Sequence, residues 1–274
     1  SRNGGDLEMK YIRGFLMAWG CFCRIPCPYR KWDDDDRYAM LSMFPLVGLF
    51  LGVLICIAWK LLVLLGTGDM LRGGLLTALY FWMTGYIHLD GFMDCSDALL
   101  SRRPMEEKQH ILKDSHVGAF AVVSLVFMVL VFTAAMSQLT ETFSLPEAAV
   151  MCVIFMVSRE MAAYDVINRK PMAASQYRNL SSHSANEKGL AGIVAVSAAA
   201  VVLFVFAFVS SAGQLTVLEL FLYIWVVLVQ AAVCNVTGRK LRSELGGMSG
   251  DVSGYMTVTG ELTGVVLIAL TSGI

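Results

Sequence analysis

The sequence predicts an all-α, polytopic integral membrane protein: a helix bundle with about seven transmembrane helices and an N-terminal interfacial helix. Three observations carry this expectation. Hydrophobic residues make up 57% of the 274-residue chain and charged residues only 16%, against roughly 25% charged in a soluble domain. The apolar runs are longer than ordinary core helices need. Basic residues gather in every second loop, as they do when a chain threads back and forth through a bilayer. A net charge of −1 leaves no general nucleic-acid footprint.

Taken in order, residues 1–8 (SRNGGDLE) precede Met9 and read as a fusion or truncation remnant. No cleavable signal peptide is evident. In LEMKYIRGFLMAWGCFCRIP, Leu7, Tyr11, Phe15 and Trp19 fall four apart on one face, with Lys10 and Arg13 elsewhere. That pattern suits an amphipathic helix lying at an interface, so residues 9–39 form the interfacial segment. The cysteines of CFCRIPC (Cys21, Cys23, Cys27) lack a CxxC pair and nearby histidines, and read as small buried thiols. The run Asp33–Asp36 cannot share one helix face, and reads as a solvated loop without chemistry.

The expected membrane segments are 40–65, 74–88, 117–137, 147–166, 190–211, 216–236 and 255–274, all within one domain, 1–274. Pro45 suits a helix start, and Gly48 and Gly52 form a small-xxx-small packing pair. Arg102, Arg103, Lys108 and Lys113 lie in the second loop. Arg169, Lys170, Arg178 and Lys188 lie in the fourth, and Arg239, Lys240 and Arg242 in the sixth; the odd loops together hold only Arg72. The positive-inside rule therefore places the N-terminus and the three long loops in the cytoplasm. Lys60 and Glu261 are isolated charges inside apolar segments, with no partner legible in the sequence.

The polar chemistry gathers on the cytoplasmic side. In HLDGFMDCSDALL, Asp90, Asp94 and Asp97 fall within about a 60° arc of a helix. Carboxylates that close raise one another's pKa, and a divalent cation relieves the repulsion. Mg²⁺ fits, because it takes oxygen ligands and shares a few carboxylates with substrate phosphates. Asp114, in KDSHVGAF, is a fourth candidate, returned towards the triplet by a short helix over SRRPMEEKQHIL. Lys113 and Ser115 beside it are natural phosphate partners. Arg159, Glu160 and Asp165 in SREMAAYD have to face the bundle interior or a wet cavity. Arg159 either reaches a phosphate or pairs internally, and the sequence leaves both readings open. In LGGMSGDVSG, Gly246, Gly250 and Gly254 recur every four residues, which favours helix packing; Asp251 shifts some weight towards a site. His183, in a polar loop, reads as solvated.

These stretches together resemble the cobalamin synthase (adenosylcobinamide-GDP ribazoletransferase) family. FCRIPCPYRKW and FPLVGLFLG look like its RxP and FPxxG motifs, and HLDGFMDCSDALL like its H-x-D-G and D-x-x-D motif. KDSHVGAF is similar to its K-D-S-x-x-G segment, and GGMSGDVSG to its G-G-x-x-G-D-x-x-G motif. The sequence departs where Ala98 follows the last aspartate in place of a frequent glycine, and the loop 168–190 matches only loosely. The resemblance implies Mg²⁺-dependent joining of adenosylcobinamide-GDP to α-ribazole or its 5′-phosphate, with release of GMP. It implies Asp90, Asp94 and Asp97 as the leading metal ligands and Asp114 as fourth ligand or base, with the choice of base among the four left open. His88, Lys113, Ser115, Gly118, Arg159 and Asp251 are the implied substrate contacts. It also implies a multi-pass enzyme of the prokaryotic inner membrane with a cytoplasmic active face. The implied partners are the two small molecules and membrane lipid, with self-association or association with other corrinoid enzymes left open. Two other classes are weighed. A CDP-alcohol phosphotransferase would need an Ala-Arg pair after D-x-x-D-G, where CSDALLSRR stands here. A transporter would gather its charges at the midplane and show inverted repeats.

Overall fold

In the computed structural model the described residues are 4–29, 31–139, 144–173, 175 and 216–272. They form helices α1 (Gly4–Phe22), α2 (Arg37–Leu64), α3 (Asp69–Met83), α4 (Ile87–Leu100), α5 (Met105–Ile111), α6 (Ala119–Gln138), α7 (Leu145–Asn168), α8 (Val217–Leu245) and α9 (Gly250–Thr271), with one 3-10 turn at Asp34–Asp36. The predicted segment 190–211 and His183 lie outside the described residues.

Among the described residues, four stretches combine the length and apolarity to cross a membrane: Asp34–Leu64, Ala119–Gln138, Val217–Leu245 and Gly250–Thr271. α7 has the length, at 24 residues, but carries Glu147, Arg159, Glu160 and Asp165. The predicted segment 74–88 is not one helix. α3 stops at Met83, and Gly85 and Tyr86, both at φ 63°, turn the chain before α4 starts. A tyrosine in the left-handed region is uncommon, so the surrounding packing has to enforce this turn. The acidic stripe thus belongs to a separate short helix.

α7 packs against α2, α8 and α9, and α9 packs in turn against α4, α6 and α8. Gly48 and Gly52 let α2 lie directly on the α7 backbone: a Cβ at Gly52 would stand 2.9 Å from Cys152 Cα, and one at Gly48 would overlap the Phe155 carbonyl. This is the packing role their spacing predicts. Pro45 lies inside α2, eight residues beyond Arg37, and does not start the helix. Tyr80 stacks between Phe155 (4.5 Å) and Phe132 (5.8 Å), tying α3 to α7 and α6. Capping boxes at Ser144–Glu147 and Thr216–Glu219 open α7 and α8, and Gly246 at φ 87° closes α8.

Asp33, Asp34 and Asp35 are exposed as the solvated-loop expectation has it, and Asp36 departs from it. It is 2% exposed and accepts from Arg13 Nε at 2.7 Å, with Lys10 Nζ 3.5 Å away. Lys10 and Arg13 of α1 converge on the turn before α2, so a carboxylate there is paired, and burial becomes tolerable.

Candidate active site

α4 carries Asp90, Asp94 and Asp97 on one stripe, Asp90 exposed and the other two half-buried. A second helix completes the cluster. Gly91 lies so close to α9 that a Cβ would stand 2.8 Å from the Asp251 Cα and carbonyl oxygen; one at Gly254 would stand 3.1 Å from the His88 carbonyl. Backbone therefore meets backbone where α4 crosses the start of α9, and Asp251 arrives beside the α4 carboxylates. Of the three glycines spaced by four, Gly254 alone serves this crossing: Gly246 ends α8 and Gly250 is the first residue of α9. Ser249 caps α9 and also donates to Asp251 Oδ2 at 3.3 Å.

Burial, and after it the negative charges of Asp90, Asp251 and Asp97, push the Asp94 carboxyl up to about 6. The charges that act on it are all negative, and nothing among the described residues offsets them. That is the arrangement a divalent cation would relieve, and the donors are hard oxygens suited to Mg²⁺. Among the described residues no three His, Cys, Asp or Glu side chains close into a ready-made metal cage. Mg²⁺ does not demand one, since it keeps waters and shares ligands with substrate phosphates.

Asp97 is different in kind. It accepts from the backbone N–H groups of Gly118 (2.6 Å) and Ala121 (3.0 Å), and so caps α6 from a neighbouring helix. Gly118 has no side chain because a Cβ there would collide with this carboxylate. Gly118 is thereby placed as a partner of Asp97. The loop between α5 and α6 exposes Lys113, Asp114 and Ser115. Asp114 accepts from the His116 N–H at 3.0 Å and lies 2.7 Å from its ring Nδ1, which holds its carboxyl below the ordinary range.

His88 is buried, 5% exposed, against Phe22 and Phe44, and its Nε2 has no hydrogen-bond partner among the described residues. Arg159 is fully buried and faces inward. Its Nη1 donates to Glu261 Oε1 at 2.5 Å and to the Phe155 carbonyl at 2.9 Å, and Nη2 to Tyr80 Oη at 3.1 Å. Ser158 Oγ donates to the same Glu261 oxygen. This is the internal pair that the sequence left as one of two readings, and it supplies the partner of Glu261.

One further residue stands at the site. Arg24, Thr84, Gly85, Tyr86 and Asp90 line a cleft of about 590 Å³. The Arg24 N–H bonds the Met83 carbonyl at 2.7 Å, and its guanidinium lies 5.4 Å from the Trp82 ring centroid. The signal for it in the sequence was the Arg-Ile-Pro motif, which spacing alone gave no role.

Fold and site together define a helical membrane protein whose helix ends present an uncompensated acidic cluster beside an arginine-lined cleft. The chain belongs to the cobalamin-5-phosphate synthase family, whose sequence profile matches residues 14–269. It is similar to proteins named adenosylcobinamide-GDP ribazoletransferase from Clostridium botulinum strain Alaska E43, Clostridium perfringens strain SM101 and Halalkalibacterium halodurans. The first is 32% identical over 93% of this chain and 96% of its own length. The second is 32% identical over 95% and 98%, and the third 30% over 92% and 93%. No solved structure matches. The chain is an enzyme, a transferase of cobalamin biosynthesis.

Proposed function

We propose that this chain joins adenosylcobinamide-GDP to α-ribazole or its 5′-phosphate, giving adenosylcobalamin or its phosphate and GMP. The observation that carries the reading is the cluster of Asp90, Asp94 and Asp251 at the α4–α9 crossing, left without a cation and opening beside Arg24. The ribazole 3′-oxygen attacks the phosphorus on the cobinamide aminopropanol arm. That phosphorus–oxygen bond forms as the bond to GMP breaks, and a carboxylate of the cluster takes the hydroxyl proton. Asp90, Asp94 and Asp251 would hold Mg²⁺, which when bound neutralises charge on the diphosphate oxygens. Arg24 faces the same cleft and is suited to bidentate phosphate contact. Lys113 and Ser115 extend the phosphate-binding loop, and Asp114 is its remaining carboxylate. Asp97 acts through α6, whose first turn it holds. His88 supports the α4 start from behind.

The same proposal places the enzyme in the prokaryotic inner membrane with about seven segments, α1 lying at the interface and the acidic cluster facing the cytoplasm. The alternating basic loops support that orientation.

Purified protein in neutral nanodiscs, given adenosylcobinamide-GDP, α-ribazole and Mg²⁺, should release GMP in step with ribazole consumption. EDTA should stop the release. GMP release that ignores ribazole, or that persists in EDTA, overturns the reading; alcohol transfer from a CDP-alcohol instead would reassign the class.

A further inference from the structure

The face of α4 turned away from the aspartates borders a second pocket, of about 560 Å³. Phe92, two residues beyond Asp90, sits about 200° round the helix from it. Phe92 stacks on Tyr255 of α9 with ring centroids 4.9 Å apart, forming an aromatic wall. Around this wall stand Arg102, Lys108, Lys240 and Glu244. Lys108 is 6% exposed and pairs with Glu244, fastening α5 to the end of α8. Gln109 reinforces the joint by donating to the Leu245 carbonyl at 2.8 Å. Glu244 is thus spent on Lys108. Arg102 has no side-chain partner among the described residues, Lys240 shares the field of the same Glu244, and three basic residues against one carboxylate leave the pocket an excess of positive charge.

Two features indicate that this excess is built. Arg102 follows the C-cap of α4 at φ 53°, and this left-handed turn at the helix end brings it to line the pocket. The pocket also sits among the ends of three membrane-crossing candidates, α6, α8 and α9, beside the exposed apolar residues Phe120, Val123 and Phe127 of α6. Basic pockets between membrane helices at this depth take phosphate groups, and the volume suits a phosphorylated small molecule or headgroup.

We propose that this pocket is a binding site for a phosphate ester, its phosphate held by Arg102 and Lys240 and its body laid against Phe92 and Tyr255. The site is separate from the acidic cluster and does not depend on the transferase reading. The same chemistry is offered by an anionic phospholipid of the bilayer and by a soluble nucleotide, and the test separates them.

Full-length protein is placed in phosphatidylcholine nanodiscs. Phosphatidylglycerol is then titrated into the bilayer with retained lipid counted by native mass spectrometry, and adenosine 5′-monophosphate is titrated from solution by calorimetry. At least one probe should bind wild type about tenfold more tightly than the Arg102→Gly/Lys240→Gln double variant. Lys240→Arg should retain the wild-type affinity. Glycine accepts the left-handed backbone at 102, and Lys240 is exposed, so the double variant should keep its unfolding midpoint; if it does not, Lys240→Gln alone serves. Binding of phosphatidylglycerol identifies a lipid site and binding of the nucleotide a soluble-ligand site, and either supports the proposal. Affinities within twofold of the double variant for both probes overturn it.

Discussion

Two regions of this apolar bundle carry charge in opposite ways. Inside, Arg159 is answered by Glu261, Tyr80 and a backbone carbonyl, all within 3.1 Å, and Ser158 donates to the same Glu261 carboxylate. At the edge, Asp94 is surrounded by Asp90, Asp251 and Asp97, and its carboxyl is pushed up to about 6. Both arrangements burden the folded state with desolvated charge. The first is closed within the protein and specifies how α7, α9 and α3 meet. The second is left open, and under the proposed function a bound cation and an anionic substrate would complete it.

The contrast breaks most visibly if the closed pair is opened. Glu261→Ala leaves the Arg159 guanidinium buried without its carboxylate, so unfolding stability should fall by about 4 kcal/mol. The double variant Arg159→Met/Glu261→Leu should recover most of it, because apolar replacement removes both charges together. Denaturant titration in detergent checks this; a single variant as stable as wild type would show that the pair is not a structural closure.

Opening the comparison from the other side gives the second prediction. Asp94→Asn should lower transfer by about 10³-fold, the scale expected when a charge-stabilising group is lost. Yet it should not destabilise the cation-free protein. A carboxyl whose folded pKa is raised opposes folding above that pKa and ceases to do so once protonated, so the neutral amide should raise the unfolding midpoint at pH 7. Activity loss accompanied by a lower midpoint would make Asp94 a structural residue.

How much of this was legible in the sequence follows from where the partners sit. The acidic stripe on α4 and the Gly48–Gly52 face on α2 were readable because both are set by spacing within one helix. Asp251 as a neighbour of Asp94, Glu261 as the partner of Arg159, and Asp36 as the anchor of Lys10 and Arg13 were not, since each depends on a crossing between distant elements. The break at Gly85–Tyr86 was hidden by the continuous apolarity around it. Asp97 illustrates the same limit: its place on the stripe was right, and its bonds to Gly118 and Ala121 emerge only once α6 is docked.

The crossing itself supplies the third prediction. Gly91→Ala would drive a methyl towards the Asp251 backbone at 2.8 Å, and backbone cannot yield as a side-chain tip can. Separating α4 from α9 by a fraction of an ångström to one ångström should reduce transfer by about 10²-fold, with KM less affected than kcat. Gly254→Ala, with 3.1 Å to the His88 carbonyl, should do the same more mildly. Equal activity in both variants and wild type would separate Asp251 from the site.

The smallest effect is expected at Asp97, and it tests whether one stripe holds two kinds of carboxylate. Asp97→Asn keeps one oxygen to accept from the α6 N-terminus but loses the charge and one acceptor, so the helix start should weaken by about 1 kcal/mol. Transfer should fall less than in Asp94→Asn, and amide exchange at Gly118 and Ala121 should quicken. A metal ligand would show the reverse: a large loss of transfer, a raised Mg²⁺ requirement and unchanged exchange at those two amides. The ratio of the two losses, read on variants three residues apart on one helix, therefore decides where the cluster stops being architecture and becomes chemistry.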